Sequence, residues 1–465
     1  MTKRHNAPLP LYLPVESHVR ELDAKILLAA AAASRGREVL LGEQNALRSS
    51  LHANPPGIFI AKSFSPRHRM MQADHFAIMR QMGFVVTGWD EEGLVHLPPD
   101  VYAVRRLGPG PLRNLQAIFS WGPDYTALVR SLGYYDGTAL LETGNPRIDL
   151  YRQELRAYHE PEVQRLRAAY GNFILINSNF GRVNPAVRRN RDGSASGKSS
   201  EAPEDERWRA IMAYRKALYE AFQSMLIHLA KAFPDRRIVV RPHPAERAES
   251  WAELASDLGN VTVLHEGAVA AWILASGMLI HNGCTTAVEA ALLDRPAIAY
   301  APLQSDELDW KLPNSVSHHA ATPGEIEAMI KAHLDGSAPL SVTAPHQEVL
   351  AAHVTRHDQQ LAVDLIAGEL DRHEAAWRKE ASVSALSASL GRARSRFRSL
   401  ERGLRQGLAD EGSQLSAAFM ERQFPAFPLA EIEGRLKRFQ AATGRFHGVS
   451  VQGEGERLYR FHPST

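Results

Sequence analysis

Cysteine is almost missing from this sequence, with Cys284 the single one in 465 residues. No disulfide can close within such a chain, which excludes the disulfide-framework class of secreted domains. One thiol cannot build a structural zinc site either. A surplus of charge is also lacking: 54 Lys+Arg stand against 52 Asp+Glu, a net charge of +2. No nucleic-acid partner is expected from so balanced a chain. Long apolar runs are scarce as well. Leu11 to Val15 is broken by Pro14 and followed by Glu16, so the N-terminus has no apolar signal core. The longest uncharged stretch, Gly267 to Val288, carries His281, Asn282, glycines and a Thr pair, which suits buried helix, strand and loop better than a membrane span. A cytoplasmic location is the expectation. Neither HExxH nor DxD occurs near the strand ends discussed below, and His18, His228, His318 and His319 are scattered or merely adjacent. Neither a metal nor another cofactor is expected.

What is present reads as ordinary globular protein, 44% hydrophobic and 23% charged, long enough for two or three domains. Short apolar runs alternate with longer helical ones from the start. Leu11 to Val15, Glu38 to Leu41, Gly57 to Ile60, Phe84 to Thr87, Ala117 to Ser120 and Ala139 to Glu142 read as strands, with helices near His18 to Arg35 and Met71 to Met82. That alternation is the signature of parallel βαβ units. After the punctuation at Gly144 to Arg147, a second series offers Phe173 to Asn177, Arg237 to Val240, Val261 to Leu264, Met278 to Ile280 and Ala297 to Tyr300 as strands. The reading is an α/β protein of two Rossmann-like parallel-sheet domains facing a cleft, over 1–150 and 151–370, with a flexible loop at 188–205. A helical C-terminal extension, 371–465, follows. Its apolar residues Leu386, Leu390, Phe397, Leu400 and Leu404 recur on one stripe among arginines.

Ligands of open parallel sheets sit beyond the carboxyl ends of the strands, so residues there are the first candidates. Arg241-Pro242-His243-Pro244 follows a strand directly, and its fixed backbone presents Arg241 and His243 as suited to a phosphate; a rigid turn with a solvated His is the alternative. His281-Asn282-Gly283-Cys284-Thr285-Thr286 links a strand to a helix. Asn282, Gly283, Thr285 and Thr286 would cradle an anion at the helix N-terminus, and Glu289 one turn further on would accept from a sugar hydroxyl. Plain N-capping uses the same groups. Asn177 and Ser178 end the first strand of the second series, where they suit a nucleotide or sugar, or close an Asx-turn. Trp89-Asp90-Glu91-Glu92-Gly93 ends a strand of the first series. Adjacent residues of an extended segment point to opposite sides, so one of Glu92 and Glu91 should be presented as base or nucleophile, unless the turn is only solvated. Glu16 and Arg20 open the first helix as acceptor-side candidates, or as a helix-surface pair.

Together the His243-Pro244 pair, Thr285-Thr286 with Glu289, and Glu91-Glu92-Gly93 resemble GT-B glycosyltransferases that use CMP-activated sugars, the sialyltransferase and capsule Kdo transferase relatives. LYLPVESHVRELDAKILLA from Leu11, GNPRIDL from Gly144, FILINSNF from Phe173 and HNGCTTAVEA from His281 are similar to the bacterial surface carbohydrate biosynthesis protein family, over about residues 8 to 320. The resemblance implies a CMP donor held by the second half, with His243 and the Thr pair at its phosphate, and a catalytic carboxylate at Glu92 or Glu91. The motif reads Glu-Glu where the relatives more usually place Asp beside Gly. The implied function is transfer of an acidic sugar, of Kdo or nonulosonic acid type, into a surface polysaccharide or flagellar glycan. The acceptor would be a glycan, a lipid-linked species or a protein, and the basic tail is a candidate for peripheral contact with the inner membrane. A sugar-nucleotide epimerase, a glycerophosphotransferase of the same fold and a non-catalytic GT-B-like scaffold are the alternatives.

Overall fold

The computed structural model describes residues 7–65, 71–96, 99–186, 206–357, 359–408, 421, 424–426, 428–455 and 457–463. The expected loop at 188–205 lies outside them. Among the described residues fourteen strands form two sheets, and the chain divides into two compact units: Met1–Tyr158 with Ala351–Thr465, and His159–Leu350.

In the first unit the strands are β1 Leu11–Val15, β2 Val39–Glu43, β3 Ile58–Ala61, β4 Val85–Gly88, β5 Ala117–Phe119 and β6 Ala139–Leu141. They pair in parallel in the order β2-β1-β3-β4-β5-β6. Strands β1 to β4 are buried along their whole length, as strands covered on both faces by helices must be. Helix His18–Ser34 is the central cover, with Leu22, Ile26, Leu27, Leu28 and the run Ala29 to Ala33 all buried.

In the second unit β7 Ile174–Asn177, β8 Ile238–Arg241, β9 Val261–Val263, β10 Met278–His281, β11 Ala297–Tyr300 and β12 His318–Ala320 form an all-parallel sheet, order β12-β11-β10-β7-β8-β9. Helix Glu206–Ala232 lays Phe222, Met225, Leu226 and Leu229 on Ile176, Val240, Ile280 and Ile298. Two Rossmann-like parallel-sheet units are thus present.

The C-terminal part differs from the sequence reading in two ways. The reading ran the second domain to 370 and left 371–465 as an extension of its own, whereas the described residues from Ala351 on belong to the first unit. Helix Ala362–Glu380 buries Val363, Ile366, Ala367 and Leu370, and it and helix Leu429–Thr443 both pack on His18–Ser34. The periodicity of a helix reports an apolar face and says nothing of which sheet receives it. The extension is also not wholly helical: β13 Ser450–Gly453 and β14 Leu458–His462 form an antiparallel pair, and β14 closes the free edge of β2. Covering an edge strand removes a row of unpaired backbone groups from solvent.

Asp149, in the GNPRIDL segment, is what ties this return. Its carboxylate accepts from Ala362 N at 2.8 Å and Val363 N at 2.9 Å, satisfying the first amides of helix Ala362–Glu380. Asn145 caps the short helix Pro146–Asp149 through Arg147 N at 3.0 Å.

Candidate functional site

In the second unit β7, β8 and β10 end in one register row, Arg241 beside Asn177 and Asn177 beside His281. The chain leaves β7 for β8 on one side and returns as β10 on the other, so the crossover direction reverses between β7 and β10. Such a reversal opens a crevice at the strand ends. Asn177 and Ser178 border it from one strand, and His281 to Thr286 from the other.

His281 sets the turn. Its buried ring accepts from Gly283 N through Nδ1 at 2.9 Å, and Nε2 meets Ser317 Oγ at 2.9 Å. Ser317 already donates to Pro313 O at 2.8 Å, so Nε2 carries the proton and donates. Burial pushes the ring's pKa down to about 3, which keeps it neutral. Gly283 takes φ +78, a conformation that favours glycine, and a Cβ there would stand close against Trp310 Cδ1, at 3.1 Å. Helix Thr285–Leu292 then starts at Cys284, which gives no side-chain cap; its Sγ lies 2.6 Å from Thr286 Oγ1. The thiol is pushed up to about 11, chiefly by burial, and is no nucleophile. Around this start Asn177 Oδ1, Asn282 Oδ1 and Trp310 Nε1 are buried without a hydrogen-bond partner. Unpaired buried polar atoms are costly, and a polar ligand would satisfy them. Glu289 is buried one turn into the same helix.

His243 is exposed, and its Nδ1 accepts from Ala245 N at 3.1 Å, which leaves the proton of the neutral ring on Nε2. Two of the expected ligand residues are occupied internally. Arg241 is buried, donates to Glu266 O at 2.8 Å and Gly267 O at 3.0 Å, and stacks over Trp272 with 5.1 Å to the ring centroid. Ser178 Oγ donates to Glu246 at 2.8 Å. Glu246 also accepts from Phe180 N at 2.9 Å, His243 N at 3.0 Å and Trp251 Nε1 at 3.0 Å. It therefore holds the loops after β7 and β8 together, and burial raises its pKa against those four donors.

The first unit repeats the topology. Strands β2 and β3 flank β1 on opposite sides, so the reversal falls between β1 and β3. Glu16 follows β1, Lys62 follows β3, and Trp89 to Glu92 follow β4. They meet in a charged cluster: Lys62 Nζ lies 2.6 Å from Glu16 Oε2 and 2.5 Å from Glu21 Oε1, and Lys25 Nζ lies 3.2 Å from Glu21 Oε2 and 3.1 Å from Glu91 Oε1. Trp89 Nε1 donates to the same Glu91 oxygen at 2.8 Å, while Glu91 Oε2 is buried without a partner. Glu92 pairs with Arg20 at 3.0 Å, its side chain 45% exposed, and that guanidinium brings its pKa down to about 2. Residues 90–93 form a turn closed by Gly93 N to Asp90 O at 3.0 Å rather than an extended segment, and the turn is what separates an inward Glu91 from an outward Glu92. Asp90 is fully buried and bound by Tyr102 Oη at 2.6 Å and by Arg106.

No family model matches this chain, and none of the curated proteins matches it. Solved structures do. The wall teichoic acid polymerase TagF is similar over 81% of this chain and 90% of its own, at 12% identity and a TM-score of 0.48. In a substituted variant of that polymerase the match spans 58% of this chain and 60% of that one, at 14% identity and a TM-score of 0.38. The UDP-GlcNAc 2-epimerase of Neisseria meningitidis, solved bound to UDP-GlcNAc, is covered over 100% of its length by 78% of this chain, at 13% identity and a TM-score of 0.45.

Several residues of these sites escape a linear reading. Lys62 obeys the strand-end rule as well as His243 does, and that rule alone would have singled it out. Lys25 had a weaker signal, the one lysine inside the alanine-rich helix His18–Ser34. Glu246 stands three residues beyond His243, and only the fold shows it bonded to Ser178. Trp310 has no local signal at all.

Proposed function

We propose that the chain is a glycosyltransferase using a nucleotide-activated sugar, and that the second unit holds the donor's phosphate at the start of helix Thr285–Leu292. The observation that carries this is the helix N-terminus without a side-chain cap at a crossover reversal, ringed by the unpartnered Asn177 Oδ1, Asn282 Oδ1 and Trp310 Nε1. Helix amides and the positive end of the dipole favour an anion there. Nε2–H of His243 adds a second donor for the phosphate. Thr285 and Thr286 supply hydroxyls, Glu289 accepts from a sugar hydroxyl, and Arg241 and Ser178 act by holding the loops in place.

The sequence resemblance makes the donor a CMP-activated acidic sugar of Kdo or nonulosonic acid type, serving a surface polysaccharide or flagellar glycan. One phosphate needs neutralising in such a donor, and a single helix start with one His suffices for it. Glu92 is the proposed catalytic carboxylate. With its pKa near 2 it is a poor proton acceptor at neutral pH, so the role that fits is nucleophile or charge stabiliser at the anomeric carbon.

Titration calorimetry with CMP, CDP, UDP and GDP tests the reading. CMP should bind best, and His243→Ala should weaken it by about 1.5–3 kcal/mol, the scale of a hydrogen bond to a charged group. A chain that binds none of the four is no nucleotide-sugar enzyme. Preference for UDP or CDP would move the assignment to the epimerase or glycerophosphotransferase alternatives.

A further inference from the structure

Helix Ala385–Gly407 carries two opposed faces. The inner one packs on the first unit: Gly391 and Ser395 are buried, and a Cβ at Gly391 would stand 2.9 Å from Met82 Cγ and 3.1 Å from the backbone of Gln81. Arg402 donates to Ser49 Oγ at 2.9 Å from the same side. The outer face holds Leu386, Leu390, Phe397, Leu400, Leu404 and, just past the helix, Leu408, all between 52% and 84% exposed. Seven of the ten large hydrophobics that stand exposed among the described residues lie between 383 and 408. A concentration of apolar surface on one helix face is an interaction site rather than the usual scatter.

The charge around the stripe identifies what covers it. The helix holds six arginines and one acid, Glu401. At about 100° per residue, Arg394 and Arg405 fall on one flank of the leucine stripe and Arg392 and Arg396 on the other. Arg392 and Arg396 are exposed and have no ion-pair partner among the described residues. Apolar residues along the middle with arginines on both shoulders are the arrangement of a helix lying in a bilayer interface, its guanidinium groups reaching the headgroups. A second copy of the chain would set these arginine rows against each other, while an anionic lipid surface complements them. No helix among the described residues is long and apolar enough to cross a membrane, so the contact is one of lying on the surface.

We infer that helix Ala385–Gly407 docks the protein on an anionic lipid bilayer, independently of the transferase reading. The full chain should sediment with phosphatidylcholine vesicles containing phosphatidylglycerol, far less with phosphatidylcholine alone, and progressively less as salt is raised. Phe397→Ser combined with Leu404→Ser should lower the partition coefficient about tenfold or more, and Arg392→Glu combined with Arg396→Glu should do the same, with melting temperature near that of the parent because all four side chains face outward. Failure to bind the anionic vesicles, or equal binding by parent and variants, overturns the inference. So does a dimer in analytical ultracentrifugation that Phe397→Ser with Leu404→Ser dissolves while vesicles are not bound, which would give the face to a second copy.

Discussion

Glu92 keeps nearly half its side chain in water beside Arg20, whereas Glu91 sits 5% exposed between Lys25 and the Trp89 indole. The two substitutions to Gln should therefore fail differently. Glu92→Gln should cost transfer about 100-fold or more, the scale of losing a charge stabiliser at the reacting centre, with little change in melting temperature. Glu91→Gln leaves Lys25 short of a buried partner and should cost about 3 kcal/mol in denaturant-induced unfolding, the scale of breaking a buried ion pair. Arg20 is the group that depresses the pKa of Glu92, and it must stay ionised for the role proposed. Arg20→Met should move the acid limb of the pH–kcat/KM profile upward, and an unmoved limb would separate that limb from Glu92.

Helices Pro146–Asp149 and Ala362–Glu380 meet through one carboxyl group. Burial lifts the pKa of Asp149 from the ordinary 3.8 to about 7, even with two backbone amides favouring the charged form. A carboxyl whose pKa is higher in the fold binds its proton more tightly there. Its contribution to stability is present in full below about pH 3.8 and is lost as the pH rises through about 7. The parent chain should thus lose stability between those limits, and Asp149→Asn, which retains one acceptor oxygen and cannot titrate, should flatten that slope in denaturation curves taken across the range.

At the scale of the molecule the two units differ in how the chain builds them. His159–Leu350 is continuous, while the other unit needs both ends of the sequence. Helix His18–Ser34 takes its cover from Ala362–Glu380 and Leu429–Thr443, and Arg37, 1% exposed, takes its carboxylates from Asp371 and Glu374. Residues 159–350 expressed alone should give a cooperative thermal transition by circular dichroism. Residues 1–158 alone should not, since an uncovered helix face and a buried arginine without its carboxylates are left behind.

Alternation of apolar runs with helical stretches determined nearly all of the strands and the two parallel sheets, because period and burial are local properties of a chain. It also determined which loops border the crevices, since strand ends are read directly from the pattern, and it placed Glu16 and Arg20 after one strand and Glu91 and Glu92 after another, while the pairing of Arg20 with Glu92 came only with the fold. Only the tertiary structure decided which of those polar residues are spent internally. Arg241 and Ser178 look like ligand residues in sequence and are engaged by Glu266 and Gly267 backbone oxygens and by Glu246, groups 25, 26 and 68 positions away. The return of the C-terminal segment to the first unit is of the same kind. Asp149 caps a helix 213 residues on, and β14 pairs with β2 across the whole chain. A local pattern records that a face is apolar or that a group is polar, and the partner that satisfies it is chosen by folding.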